Sequence, residues 1–267
     1  MEKSIQDKGF LNSFIEMALI AAPGESFAGG AIGIPDFARA DIQQQDYAAA
    51  LERCGVRVVS LPQGSEAGDG FAASAGVVTE HLAVIGGDGT GTMPLRQKQI
   101  ASHLAGTRFL KFIVPPGKLD ARDVLRAGDH FYISLSQHTN QEGAAQLAFY
   151  LKEFGYNVTM LDVHGRFPLG AAGTCLGDNR LIIREELALN YAFVEYQKII
   201  VPYRERAAAS CTVVNGTVIL PASCPETLKA VETAGFRTLQ VNVSEFEKMG
   251  GGLGCLRSRT TGLGPMQ

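Results

Sequence analysis

GAAQLAFYLKEF at residues 143–154, followed directly by GYNVT at 155–159, is the stretch that decides the fold of this chain. Its apolar residues first recur at helical spacing and then, after Gly155, alternate with polar residues as they do in a strand. A glycine at such a junction readily adopts the left-handed backbone conformation that ends a helix. The stretch therefore predicts a helix that ends at a glycine and leads directly into a strand.

The same plan recurs along the chain. YAAALERC at 47–54 leads through a glycine to VRVV, and ETLKAVETA at 226–234 leads through a glycine to FRTL. Two weaker copies are QKQIASHLA at 97–105 before FLKFIV, and NYAFVEY at 190–196 before KIIVP. Since self-similarity of this kind is typical of repeat architectures, the sequence predicts about five helix-then-strand units.

Hairpin-like runs with polar turns lie between these units. They are VLRAGDHFYI at 124–133, CLGDNRLII at 175–183 and TVVNGTVIL at 212–220, and the last contains Asn215-Gly216, a strong hairpin signal. Strand, strand, helix and strand then form one ββαβ unit. Because one such unit is too small to bury its own apolar face, we expect a closed ring of α/β blades with pseudo-fivefold repeats. The prediction is a single α/β domain over residues 1–267.

Composition excludes several classes of protein. Hydrophobic residues make up 46% and charged residues 19% of the chain, and the net charge is -3, as in a folded, core-forming protein. No basic run suggests nucleic acid or an anionic membrane as a partner. No stretch has the ~18–20 apolar residues of a membrane span, and no signal-peptide pattern is present. We therefore expect a cytoplasmic protein with neither partner.

The cysteines predict neither a disulfide framework nor a zinc site. There are five, and they form no C-x-x-C pair and lie at no zinc-ligand spacing from a histidine. An odd number in a chain of this size favours reduced thiols. The sequence therefore implies no bound metal. The five are Cys54, Cys175, Cys211, Cys224 and Cys255.

Three motifs carry a resemblance to a known family. GDHFYISLSQHTNQEG at 128–143, AASCTVVNGTVILP at 208–221 and GGLGC at 251–255 resemble runs of the dimethylarginine dimethylaminohydrolases, members of the guanidine-modifying (pentein) superfamily. The resemblance extends over nearly the whole chain. It implies the pentein fold, a five-bladed α/β propeller, which agrees with the architecture expected from the repeats.

The resemblance also implies a chemistry. Cys255 corresponds to the family's nucleophile, whose thiolate attacks a guanidinium carbon and forms a covalent thiouronium adduct. A histidine protonates the leaving amine and then activates water, while carboxylates hold the guanidinium and an arginine binds the substrate carboxylate. The resemblance therefore implies a small-molecule substrate and no cofactor. Members of the family often dimerise, so it also implies a homodimer.

Several expected partners of Cys255 are altered. In a gap-free register the family's catalytic histidine reads as Pro168, so the nearest histidine, His164, becomes the candidate acid/base, against the alternative of an ordinary loop histidine. The glutamate of the family's E-x-G-D reads as Asp120, either a catalytic carboxylate or a solvated turn residue. The substrate-binding arginine reads as His138, which cannot form the same charged fork.

The guanidinium-holding motif F-x-E-D-P reads as FAASA at 71–75, so both acids are absent. Phe71 and Ser74 remain candidate substrate contacts, and Asp69 matches a family aspartate just upstream. Two hypotheses follow. The chain is a cysteine-dependent amidino-group hydrolase or amidinotransferase-like enzyme with a diverged substrate, or it is a non-catalytic, re-purposed binding member of the same fold.

Overall fold

The computed structural model describes residues 15–21, 33–62, 72–163 and 167–261, with the backbone alone described at Cys255 and at 257–261. Within these ranges there are seventeen strands and six α-helices. The strands are β1 (Ile15–Ala21), β2 (Arg57–Leu61), β3 (Gly76–Val78), β4 (Leu82–Ile85), β5 (Gly87–Asp88), β6 (Phe109–Phe112), β7 (Lys118–Leu119), β8 (Val124–Ala127), β9 (His130–Ser134), β10 (Asn157–Leu161), β11 (Gly173–Gly177), β12 (Arg180–Arg184), β13 (Gln197–Val201), β14 (Thr212–Val214), β15 (Thr217–Pro221), β16 (Arg237–Val241) and β17 (Arg257–Thr261).

The helices lie between the strands along the chain. They are α1 (Phe37–Arg53), α2 (Leu95–Leu104), α3 (Gln141–Glu153), α4 (Glu185–Ala188), α5 (Pro225–Thr233) and α6 (Ser244–Lys248). None of the helices in the described ranges combines the length and the apolar character that crossing a membrane requires.

Five three-stranded sheets in the described part of the chain share one topology. We name them sheet A (β17-β1-β2), sheet B (β3-β4-β6), sheet C (β8-β9-β10), sheet D (β11-β12-β13) and sheet E (β14-β15-β16). In each, the middle strand pairs antiparallel with the first strand and parallel with the third. The strands of sheets C, D and E are each consecutive in sequence, β5 lies between the second and third strands of sheet B and pairs with β7, and sheet A joins the last described strand to the first two. The result is a mixed α/β fold.

The described residues form five apolar core clusters, and each cluster joins two sheets. The pairs are A with B, B with C, C with D, D with E, and E with A. Alternate residues of each middle strand face opposite neighbours, which is why these strands are apolar on both faces. Representative pairs are Leu19 with Ile85, Val84 with Phe131, Tyr132 with Ile183, Ile182 with Val218, and Ile20 with Ile219.

The predicted helix–glycine–strand units are confirmed where the sequence signal is strong. Helices α1, α3 and α5 each end just before a glycine with positive φ, and a strand follows within three residues. At Gly155 φ is 82°, and an added Cβ would meet nothing within 4 Å. Glycine is therefore favoured there by backbone conformation and not by lack of space. The weaker unit formed by α2 and β6 is also confirmed.

The helix expected over 190–196 is wrong. Helix α4 lies earlier in the chain, and only Tyr191–Phe193 forms a single 3₁₀ turn, which the side chain of Asn190 caps by accepting from the amide of Ala192 at 3.0 Å. Phe193 is fully buried, but Tyr191 is 80% exposed and Val194 is 69% exposed. The segment anchors one aromatic ring and lacks the continuous apolar stripe that stabilises a surface helix.

Candidate active site

Short 3₁₀ helices precede the first strand of each sheet and contact one another. Each lies within two residues of that strand, and each contacts the next, so that the five form a closed set of contacts. We call this group the 3₁₀ cluster. It consists of Ala72–Ala75, Ala121–Asp123, Leu169–Ala171, Tyr203–Ser210 and Leu253–Leu256.

The backbone of Cys255 lies in the last of these helices. Leu253 and Leu256, which flank it, are fully buried and fix this segment against the neighbouring sheets. The segment contacts the 3₁₀ helix that contains Ser74 and the one that directly follows Pro168. The Cys255 side chain lies outside the described part of the structure.

The remaining predicted residues divide into two groups. Asp69, Phe71 and His164 lie outside the described residues. Asp120 directly precedes the 3₁₀ helix Ala121–Asp123, and His138 lies in the exposed turn before α3. The sequence prediction for each of them stays a prediction.

Asp120 is bound by its own neighbour, Arg122. The Asp120 carboxylate accepts from the backbone amide of Arg122 at 2.9 Å, which caps the short helix. It also accepts from the Arg122 guanidinium, with Nε 3.0 Å from Oδ2 and Nη2 2.5 Å from the same oxygen. The planar guanidinium of Arg122 thus already pairs with the Asp120 carboxylate.

A buried aspartate holds the turn that carries His138. Asp123 is 3% exposed, and its Oδ2 accepts from Ser136 Oγ and from Thr139 Oγ1, both at 2.6 Å. Ser136 Oγ in turn accepts from the backbone amide of His138 at 2.9 Å. Burial raises the pKa of the Asp123 carboxyl, while the two hydroxyl groups act in the opposite direction. The network fixes the backbone of the turn and leaves the His138 ring exposed.

Replacing Asp123 with alanine should destabilise the protein by about 2–4 kcal/mol, because the Ser136 and Thr139 hydroxyl groups lose their acceptor in a buried setting. The free energy of unfolding in urea measures the loss. Asp41→Ala on the exposed face of α1 is the matched control and should change it by less than about 0.5 kcal/mol. Equal effects of the two substitutions would contradict the role assigned to Asp123.

The pH dependence gives a second control for the same carboxyl group. Because burial holds the pKa of Asp123 above 3.8, the part of its contribution to stability that depends on protonation is fully present below that value and is lost as the pH rises through the folded-state pKa, while the hydrogen bonds from Ser136 and Thr139 remain. The free energy of unfolding of the wild type, relative to that of Asp123→Asn, should therefore fall as the pH rises from 3.8 through the folded-state pKa of Asp123. A relative gain over the same range would mean that the pKa is lowered instead.

Sequence reasoning missed three residues of this region. Arg122 appeared only as a departure from a family glycine, and Asp123 only as the last letter of a motif. Ser210 lies within the run AASCTVVNGTVILP, but its spacing gave no signal of a contact with the Cys255 segment. The pattern of Ser136 and Thr139 around His138 was the one available hint of a hydroxyl-binding carboxylate.

Known proteins resemble this chain over most of its length. It is 30% identical over 233 residues to the N(G),N(G)-dimethylarginine dimethylaminohydrolase of Pseudomonas aeruginosa, covering 85% of this chain and 91% of that relative. A solved structure of the Pseudomonas aeruginosa enzyme, a cysteine-to-serine mutant complexed with citrulline, superimposes with a TM-score of 0.86 at 28% identity, covering 92% and 99% of the two chains. No protein-family model matches the chain.

A more distant structure shares the fold. The N-terminal domain of a cyanobacterial arginine dihydrolase superimposes with a TM-score of 0.72 at 18% identity, covering 92% of this chain and 98% of that one. The architecture is therefore that of the guanidine-modifying, or pentein, superfamily, to which both of these enzymes belong. Within that superfamily, the chain belongs to the dimethylarginine dimethylaminohydrolase family.

Proposed function

We propose that this protein is a cysteine-dependent hydrolase or amidinotransferase-like enzyme that acts on an amidino or guanidino carbon, with Cys255 as its nucleophile. The observation that carries the proposal is the place of the Cys255 backbone within the 3₁₀ cluster, in a chain 30% identical to a dimethylarginine dimethylaminohydrolase. One element of that cluster contains Ser74, and another directly follows Asp120.

The proposed reaction has two steps. The Cys255 thiolate attacks the planar carbon, an S–C bond forms, and the C–N bond to the leaving amine breaks as an acid delivers a proton to that nitrogen. Water then attacks the S-alkylthiouronium carbon and gives a proton to the group that acted as the acid, which is now a base. The S–C bond breaks, and the thiol is released. His164 is the candidate for the acid and base, and no cofactor takes part.

The proposed substrate is less cationic than methylarginine. The two acids of the family motif are absent from FAASA, and the Asp120 carboxylate already carries the Arg122 guanidinium. An arginine-like side chain would have to displace Arg122 or bind without that carboxylate. Removing one partner of a charged hydrogen-bonded pair costs on the order of 2–5 kcal/mol, which is enough to change the preferred substrate. Asp69, Phe71, Ser74 and His138 are the proposed substrate contacts.

The proposed architecture around this site is a closed five-bladed ring. Sheets A to E pack in cyclic order, and the first strands of neighbouring sheets contact each other at β3 with β17, β8 with β11, and β11 with β14. The 3₁₀ cluster would then lie at the ring's axis, in a single domain over residues 1–267. A cytoplasmic location and a homodimer remain predictions.

Thiol labelling tests the proposed nucleophile. With a haloacetamidine or iodoacetamide at neutral pH, Cys255 should react at least about tenfold faster than Cys54 and Cys224, because burial raises the pKa of both of those thiols and lowers their thiolate fraction. Buried Cys211 should also react slowly. Mass spectrometry of the labelled peptides gives the individual rates.

The alternative function is a non-catalytic binding member of the same fold. It is favoured by Pro168 in the family's histidine position and by the occupied Asp120 carboxylate. Uniformly slow labelling of all the cysteines would support this alternative and would contradict the enzyme. A hyper-reactive Cys255 without citrulline release from dimethylarginine would support an enzyme with a changed substrate.

A further inference from the structure

The Asp120 carboxylate beside the 3₁₀ cluster is bound by a guanidinium of the chain itself. Nε of Arg122 lies 3.1 Å from Oδ1 and 3.0 Å from Oδ2 of Asp120, and Nη2 lies 2.5 Å from Oδ2. Both side chains are largely buried, with 12% of the Asp120 side chain and 25% of the Arg122 side chain exposed. A planar guanidinium fork against a carboxylate is a strong and directional contact, so it fixes both charges at one place.

The other carboxylates in the described part of the 3₁₀ cluster are bound by uncharged groups. Glu205 accepts from two backbone amides at the start of α5, at 2.9 and 2.7 Å, and Asp123 accepts from two hydroxyl groups. Among the described residues at the cluster, Asp120 is therefore the carboxylate that binds a guanidinium, and Arg122 neutralises its charge. The remaining 3₁₀ helices of the cluster contain no acidic residue; they are Ala72–Ala75, Leu169–Ala171 and Leu253–Leu256.

Backbone contacts hold Asp120 in place separately from the Arg122 side chain. The Asp120 backbone amide donates to Thr139 Oγ1 at 3.1 Å, and the Asp120 carboxylate accepts from the backbone amide of Arg122 at 2.9 Å. A Cβ added at Gly170 would lie 3.0 Å from the Arg122 carbonyl oxygen, so the next 3₁₀ helix packs closely against this backbone. Because a glycine at position 122 retains these backbone contacts, the carboxylate should stay in place when the guanidinium is removed.

We propose that Arg122 is a specificity-determining residue: its guanidinium fills a preformed guanidinium site at Asp120 and so keeps cationic guanidino compounds from binding there. The inference rests on the proposed function, in which the substrate is less cationic than methylarginine. A ligand guanidinium must displace a partner that is tethered two residues away and is therefore present at a high effective concentration. The ligand class that the emptied site should take is a small planar guanidinium cation.

Binding of methylguanidinium chloride to Arg122→Gly, measured by isothermal titration calorimetry, tests the site itself. Without the tethered competitor, the variant should bind this probe about 10- to 100-fold more tightly than the wild type, as expected for one hydrogen-bonded contact between charged groups. Arg122→Ala removes the same guanidinium without the backbone freedom of glycine and should show the same gain. Asp120→Asn in the Arg122→Gly background is the matched control, and it should bind no better than the wild type.

A matched pair of thiol probes tests the effect on specificity. Chloroacetamidine is cationic at neutral pH, and chloroacetamide has nearly the same shape without the charge. In Arg122→Gly the ratio of their labelling rates at Cys255 should rise severalfold over the wild-type ratio, because the Asp120 charge is no longer neutralised. Arg126→Ala is the control, since Arg126 forms a similar pair with Glu80 at the turn between β3 and β4, at 3.0 and 3.2 Å. It should leave the ratio unchanged.

The outcomes separate this inference from the proposed function. Tighter binding of methylguanidinium by Arg122→Gly that is lost with Asp120→Asn, together with a raised labelling ratio, would support the role of Arg122. Equal binding by the wild type and Arg122→Gly would overturn that role even if Cys255 is hyper-reactive, and so would an unchanged ratio at a reactive Cys255. A wild-type Cys255 that labels no faster than Cys54 would overturn the proposed nucleophile, and the calorimetry would still decide for or against the guanidinium site.

Discussion

Cys255→Ala should lose at least about a thousandfold in kcat toward whatever amidino compound the wild type turns over, because a missing nucleophile leaves only binding and electrostatic contributions. Cys255→Ser should be similarly inactive, since a serine hydroxyl is far less acidic than a thiol and is a weak nucleophile at neutral pH. Release of amine or ammonia from dimethylarginine, arginine and less cationic amidines measures the loss.

Two controls make this result specific to the covalent step. Cys54→Ser changes a thiol at the end of α1 and should retain wild-type kcat. Intact-protein mass spectrometry under turnover should show a substrate adduct on the wild type and none on Cys255→Ala. Wild-type turnover by Cys255→Ala would exclude this cysteine as the nucleophile.

Asn215→Ala should lower the free energy of unfolding by about 3–5 kcal/mol, the sum of several lost hydrogen bonds and a left-handed backbone position that alanine resists. Asn215 has φ 45° in the turn between β14 and β15. Its Oδ1 accepts from the Ile15 amide at 2.9 Å, and its Nδ2 donates to the carbonyl oxygens of Ile15 at 3.1 Å and Cys54 at 2.9 Å. The side chain thus ties sheet E to sheet A.

Other substitutions at turns separate these two contributions. Asn215→Gly loses the side-chain hydrogen bonds but adopts the left-handed backbone conformation without strain. It should therefore lower the free energy of unfolding less than Asn215→Ala does. Asn179 has φ 57° in the corresponding turn of sheet D, but its side chain bonds only to the Glu195 carbonyl oxygen. Asn179→Ala should therefore cost less in urea unfolding. Equal losses at the two asparagines would show that the contacts between sheets contribute nothing.

The strength of each local signal decided how well the sequence predicted the fold. The α3 unit and the Asn215-Gly216 turn each combine an apolar pattern with a residue suited to positive φ, and both form as predicted. At 190–196 the apolar residues suggested a helix, but only Phe193 is buried and the segment forms a single 3₁₀ turn capped by Asn190. Short segments without a capping glycine are decided by such tertiary contacts.

In the candidate site, too, the sequence predicted features made by neighbouring residues and missed contacts between distant segments. The motif GGLGC pointed to Cys255 because the nucleophile and its glycines are contiguous in sequence. Ser210 fills the space beside those glycines, and this contact joins segments far apart in the chain. Likewise, the sequence showed Arg122 as a substitution and could not show that its guanidinium would bind Asp120.

By itself, the sequence determined the repeating helix–glycine–strand units, the hairpin turns and the family motifs, because each depends on residues within a few positions of one another. Only the tertiary structure decided which sheets pack together, that Asp123 holds the turn of His138, and that Ser210 lies against the Cys255 segment. Burial and hydrogen bonding between distant segments depend on how the sheets pack, and the spacing of residues along the chain does not encode that packing locally.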